Sequence, residues 1–225
     1  MVHMRTLSLV LTLSLLTGAA VALAADDKAP PEGYVPLFNG KDLSGWKVLG
    51  GKLEAWGAED GLLFVKGGGG GWLMTEKEYS DFELRLQFKL PRAGNSGVAL
   101  RAPFAGNPAF QGMEIQLLDD PWYKDPKNFK DLKPVQLTGS IYGVVPPSKD
   151  ATKPAGEWNT IHITAKGPHI IVRLNGVKTV DANLDDHKDR GKEGDHPGIL
   201  RKEGHLGLQS HDGRVEFKNI YVKPL

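Results

Sequence analysis

A strict alternation at residues 82–90 constrains the fold more than any other feature. Phe82, Leu84, Leu86, Phe88 and Leu90 are apolar, while Glu83, Arg85, Gln87 and Lys89 between them are polar or charged. A period of two sends alternate side chains to opposite faces of an extended strand, which no amphipathic helix does. One face of this strand is therefore buried and the other wet. Shorter alternations recur at 97–101, 113–118, 140–144, 160–165, 170–175, 205–210 and 215–222. Turn residues separate them: Gly94 with Asn95, Pro103, Gly106 with Asn107, Gly167 with Pro168, Asn175 with Gly176, and Asp212 with Gly213. Asn175-Gly176 between apolar runs predicts a type I′ hairpin. No stretch after Ala25 carries a helical pattern longer than about two turns. The expectation is an all-β chain of two packed antiparallel sheets.

Residues 1–24 are set apart from that fold. Met4 and Arg5 make a short basic start, residues 7–16 are almost unbroken apolar chain, and Ala22-Leu23-Ala24 is a small-x-small cleavage site. A signal peptide cut before Ala25 fits better than an uncleaved anchor, since the apolar run is short for a span of ~20 residues and no stop-transfer segment follows. Lipidation needs a cysteine and the chain has none. The expected location is the periplasm or the medium. Residues 25–225 are enough for one domain with a sizeable core. Without cysteines, disulfides, thiolate nucleophiles and Cys-type zinc sites drop out. A formal charge of +1 with dispersed basic residues leaves no footprint for nucleic acid or an anionic membrane. No pattern specifies an oligomer.

Three stretches break the strand pattern. Residues 67–71 are five glycines with no following Gly-Lys-Ser/Thr, so they predict a turn and not a phosphate loop. Residues 119–135 form a polar loop that holds Trp122 and Tyr123. Residues 183–204 are long and charged, and long loops in compact domains tend to be functional or mobile. Asp185, Asp186, His187, Asp195 and His196 there have metal-binding chemistry but no recognised ligand spacing, so a solvated loop is expected, with no cofactor and no motif for a divalent metal.

The polar faces of the later strands point to function. Alternation puts Val98, Leu100, Ile115, Leu117, Ile141, Leu206 and Leu208 inside, and Asn95, Arg101, Glu114, Gln116, Ser140, Tyr142, His205, Gln209 and His211 outside. An ordinary solvated face carries Lys, Thr and Glu instead. If the strands are neighbours, these side chains line a concave groove with a carboxylate, an imidazole, a guanidinium and several neutral hydrogen-bonding groups. Such equipment suits a polyhydroxylated ligand. Trp46, Trp56, Trp72 and Trp158 sit in or beside strands and are expected in the core. Trp122, in its loop, is the tryptophan placed to stack on a sugar.

The segments LFNGKDLSGW (37–46), FELRLQFKLPRAGNSGVALR (82–101), EIQLLD (114–119), GSIY (139–142), EWN (157–159) and GLQSHDGRVEFKNIYVKPL (207–225), taken in this order, resemble the 3-keto-disaccharide hydrolase family, also described as 3-keto-glucoside lyase and hydratase. The resemblance implies a concanavalin A-like jelly-roll sandwich, export in bacteria, and action on sugars already oxidised at C3. Members usually carry Arg where this chain has Lys218, a tolerable change on a framework strand. The family varies more at 183–204.

Rival functions make different demands. A retaining glucanase needs two carboxyl groups ~5–5.5 Å apart, but the outward face of 113–118 reads Glu114, Gln116, Leu118. Ser96, in Asn-Ser-Gly, is not in a nucleophile elbow. A lectin-like module would use the same groove for binding alone. For a 3-keto-glycoside, the ketone acidifies the C2 proton, so the aglycone can leave by elimination. The expected roles are Glu114 or His211 as base, Arg101 with Gln116 or Gln209 at the enolate, and Tyr142 as acid. Asn95, Gln116, Asp119, Trp122, His205 and Gln209 are the expected substrate contacts.

Overall fold

The computed structural model describes Met1 and residues 30–192 and 195–225; the export segment and its cut before Ala25 lie outside the described residues. The strands in chain order are β1 (Val35–Pro36), β2 (Trp46–Leu49), β3 (Trp56–Glu59), β4 (Leu62–Val65), β5 (Trp72–Tyr79), β6 (Phe82–Lys89) and β7 (Asn95–Ala102). They continue with β8 (Met113–Leu118), β9 (Trp158–Lys166), β10 (His169–Leu174), β11 (Val177–Asn183), β12 (Gly204–Gln209) and β13 (Val215–Pro224). The helices are one-turn pieces: α1 (Pro108–Gln111), α2 (Asp120–Tyr123) and α3 (Lys188–Lys192). No helix among the described residues is long and apolar enough to cross a membrane.

The strands form two antiparallel sheets. One has the order β11-β10-β9-β6-β13-β4-β3 with β1 added beside β13, and the other the order β2-β5-β12-β7-β8. Their inner faces interdigitate in one core, as the period of two requires. Phe82, Leu84, Leu86 and Phe88 of β6 meet Val98, Leu100, Ile115, Leu117, Leu206 and Leu208 of the second sheet within it. The β10–β11 hairpin turns at Asn175 and Gly176 with φ of +50° and +84°, the two positive values a type I′ turn needs.

Local departures from the alternation have physical causes. β5 opens with four buried residues, Trp72 to Thr75, because Leu73 enters the main core while Trp72 and Met74 join Ala99, Ala102 and Ala109 in a small apolar cluster on the outer face. Burial on both faces removes the alternation that would reveal the strand. Residues 140–144 are not a strand. Gly139 and Gly143, at φ +81° and +71°, fold them into a tight turn bridged to Ile115 and closed by Ile141 and Val145. The five glycines at 67–71 make a turn packed so closely that a Cβ on Gly71 would lie 2.3 Å from the Leu49 carbonyl oxygen. Trp46, Trp56 and Trp72 are buried, the last in the outer cluster, while half-buried Trp158 lies under the Lys89 and Lys218 ammonium groups at 5.1 and 4.5 Å.

Candidate active site

β7, β8 and β12 are neighbours, and their outer faces meet the turn that carries Tyr142. That turn is fixed by the Tyr142 N–H, which donates to the Glu114 carbonyl at 2.9 Å. A cavity of about 180 Å³ results, lined by Asn95, Glu114, Gln116, Tyr142, Gln209 and His211, with Asn107, Ala109 and Phe110 of the α1 region over it. Of the nine side chains expected on the groove, these six converge; Arg101 and His205 do not, and Ser140 is buried with its hydroxyl donating to the Val135 carbonyl at 3.0 Å.

Glu114 lies at the floor, only 2% exposed. Gly97 makes room for it, since a Cβ there would sit 1.7 Å from Glu114 Oε1. That oxygen has no hydrogen-bond partner, and burial pushes the carboxyl up to about 8. The Gln209 side-chain oxygen is likewise buried and unpartnered. Gln116 Nε2 donates to Asn95 Oδ1 at 3.1 Å, and Gln136 Nε2 to the Tyr142 hydroxyl at 3.3 Å. At the rim, exposed His211 holds Asp212 Oδ2 at 2.6 Å through Nδ1. With Asp212 ionised this bond needs the proton on Nδ1, leaving the Nε2 lone pair free. Paired backbone bonds of 3.2 and 3.1 Å between Asn95 and Asp212 fix the pair beside β7.

Two further hollows adjoin this one. A cavity of about 380 Å³ shares Asn95, Gln116, Tyr142 and His211 and adds Trp122, Phe129, Leu132 and Asp212. Another of about 350 Å³ shares Phe110 and Tyr142 and adds Lys133, Gln136, Arg190, Asp195 and His196. Tyr142 lines all three.

Arg101, expected at the enolate, is elsewhere. A bulge sets β7 against β12 so that His205 pairs with Ala102 and Gly207 with Ala99. The extra residue places Arg101 at φ +50°, and Ala102 takes the outer-face position instead. The Arg101 guanidinium is buried at the far end of β7. There it donates to the Ser80 and Gly167 carbonyls at 2.7 and 2.6 Å and to Asp81 Oδ1 at 3.0 Å. It lines a separate hollow of about 620 Å³ that shares no residue with the Glu114 cavity. His205 lies on the outer face of β12 but away from the Glu114 cavity, where Nδ1 meets the Thr75 carbonyl at 2.8 Å and Nε2 meets Glu78 at 3.2 Å. Asp119 lines none of these hollows. Its Oδ2 accepts the Ala93 N–H at 2.9 Å and pins the loop after β8 to the turn before β7.

Gly97, Asp212, Gln136 and Phe110 were not among the expected site residues. Asp212 is legible as the neighbour of His211, and Gly97 as the one residue on the polar face of β7 without a side chain. Asp185, Asp186 and His187 lie in a short turn, Leu184–His187, and no cluster of three or more metal-ligating side chains forms among the described residues.

Comparison with known proteins agrees with this architecture. A 3-keto-disaccharide hydrolase of Bacteroides thetaiotaomicron is 27% identical, the match covering 86% of this chain and 79% of that protein. A solved structure from Parabacteroides distasonis, described as a glycosyl hydrolase, superposes at TM-score 0.76 and 32% identity, covering 86% of this chain and 94% of the other. An endo-β-1,3(4)-glucanase of family GH16, at 15% identity and TM-score 0.52 over 87% and 92% of the two chains, shares the jelly-roll sandwich. A family profile for a 3-keto-alpha-glucoside-1,2-lyase-like domain matches residues 33–223, and the chain belongs to that family.

Proposed function

We propose that the protein cleaves the glycosidic bond of 3-keto-glycosides, by elimination across C1–C2 followed by hydration. The observation that carries this reading is that His211, bonded to Asp212 behind it, shares one cavity with the buried Glu114 carboxyl. The relative named 3-keto-disaccharide hydrolase supports the substrate class. Gln116 and Leu118 occupy the positions on β8 where a glucanase would carry its second carboxylate.

His211 Nε2 takes the C2 proton, with Asp212 orienting the ring and stabilising the imidazolium. The electron pair moves onto the C3 oxygen as an enolate. Glu114 still holds its proton near neutral pH, so it donates a hydrogen bond to that oxygen, together with the Gln116 or Gln209 amide. The enolate then collapses, C1–O breaks, and the departing oxygen takes the Tyr142 proton. Water adds to C1 of the resulting enone while C2 is reprotonated, giving the free 3-keto sugar. Glu114 thus acts as donor and His211 as base, and neutral donors replace the guanidinium at the enolate.

The test is incubation with a 3-keto-disaccharide and with its unoxidised parent. Release of 3-keto-glucose from the first and nothing from the second is expected; binding of both without turnover would leave a lectin. In heavy water, elimination places deuterium at C2, and a product that keeps its original C2 hydrogen means direct hydrolysis. We also propose that the protein works after export, on the strength of the apolar run and the Ala22–Ala24 site. N-terminal sequencing of the native protein should begin at or near Ala25, and finding Met1 would contradict export.

A further inference from the structure

The hollow behind Tyr142 has chemistry that the steps at C2 and C3 do not use. His196 is only 3% exposed with one ring nitrogen served by the Tyr142 backbone and the other left open, and Arg190 Nε is buried and unpartnered. Leaving such groups unpaired is costly, so a cavity lined by them is built for a ligand that supplies the missing partners. Phe110 covers the imidazole at 5.2 Å, and Gly143 lets the ring in, since a Cβ there would lie 2.6 Å from His196 Cε1. Lys133 stands exposed at the rim with no ion pair among the described residues, and Arg190 shares its charge with Asp195 at 3.2 Å. Burial and the nearby Arg190 charge lower the His196 pKa and keep the ring neutral. The lining therefore carries one uncompensated positive charge, which matches a monoanion and falls short of a dianionic phosphate ester.

The position of the hollow tells which part of the substrate it meets. The Trp122 cavity touches both Tyr142 and His211, whereas this one touches Tyr142 and not His211. Resting on the proposed roles of those two residues, C2 faces His211 and the departing oxygen faces Tyr142, so the leaving group extends into the hollow that has Tyr142 alone. We propose that Lys133, Arg190 and His196 form a leaving-group subsite for a carboxylate-bearing sugar, such as a uronic acid glycosidically linked to the 3-keto-glucosyl unit. Residues 183–204, which contribute Arg190 and His196, then set substrate preference.

The experiment compares 3-keto-glucosides whose leaving groups are glucuronate, glucose and glucose 6-phosphate, with wild type, Lys133→Gln and Arg190→Gln. Wild type is expected to favour glucuronate over glucose by about tenfold or more in kcat/KM. Either variant should shrink that ratio toward one, losing more on the glucuronate substrate than on the glucose one. No preference in wild type, a preference that survives both variants, or a preference for the phosphate ester overturns the assignment. If no 3-keto substrate is cleaved, the proposed activity fails by itself, and calorimetric titration with free glucuronate and glucose decides the subsite. Glucuronate binding that either variant weakens keeps it; equal or absent binding removes it.

Discussion

Glu114 has almost no contact with water, and Gly97 gives its carboxyl room. In the unfolded chain the group titrates near the ordinary 4.5, and in the folded chain near 8. The folded state therefore holds the extra proton between those values, and stability falls as pH rises from about 4.5 through about 8. Glu114→Gln removes that slope, so denaturation midpoints of wild type should drop relative to the variant between pH 5 and pH 9; parallel curves would contradict the buried, protonated carboxyl. Glu114→Leu, which removes the donor, should lower turnover by ~10²–10³-fold, while Glu114→Gln, whose amide still donates, should lose far less. A donor role also requires wild-type activity to decline as pH rises through about 8, whereas a base role would make it climb. Gly97→Ala, whose methyl group needs the place of the carboxyl, should cost activity on the order of 10²-fold in a folded protein, checked by circular dichroism beside kinetics.

Among the elements, the loop from Asp119 to Thr138 is one wall of the site. It carries Trp122, Phe129, Leu132 and Gln136, and it is closed at its base by Asp120, whose Oδ1 accepts the Thr138 N–H at 3.0 Å. Thr138 Oγ1 in turn accepts the Leu118 N–H at 2.8 Å, joining the loop to β8. Burial lifts the Asp120 carboxyl to about 6, outweighing the Thr138 bonds that pull it down. Asp120→Ala leaves the buried Thr138 N–H unpaired, at a cost of ~1–3 kcal/mol in urea denaturation. Because the Glu114 floor lies on other strands, KM should rise more than kcat falls. A variant with unchanged stability and unchanged KM would show that the loop does not depend on this clasp.

Arg101 belongs to the scale of the whole molecule. It reaches from β7 of one sheet to Gly167, in the turn joining β9 and β10 of the other, and to Ser80 and Asp81, where the chain crosses between the sheets. Burial pulls its pKa down while Asp81 opposes that fall. Arg101→Met strips the partners from buried carbonyls and from Asp81, a loss of ~3–5 kcal/mol. For a chain of this size that corresponds to a fall in Tm on the order of 10 °C. The fraction still folded should keep near-normal kcat. Loss of turnover at unchanged Tm would return Arg101 to the chemistry.

What the amino-acid order settled by itself was whatever depends on a residue and its near neighbours. The alternation of β6, the Asn175-Gly176 hairpin and the side of β8 on which Glu114 and Gln116 fall are all local consequences of a period of two or of a turn's dihedral needs. β5 escaped that reading because both of its faces are covered by residues distant in sequence. Tertiary structure alone decided the fate of Arg101. A single extra residue in β7, visible only in its pairing with a strand about a hundred positions later, reverses the alternation beyond it. Tertiary structure also made Glu114 a proton holder, because the groups that exclude water from it come from β7, α1, β12 and the Tyr142 turn. A carboxyl's affinity for its proton is set by what surrounds it in space, and no window of sequence contains those surroundings.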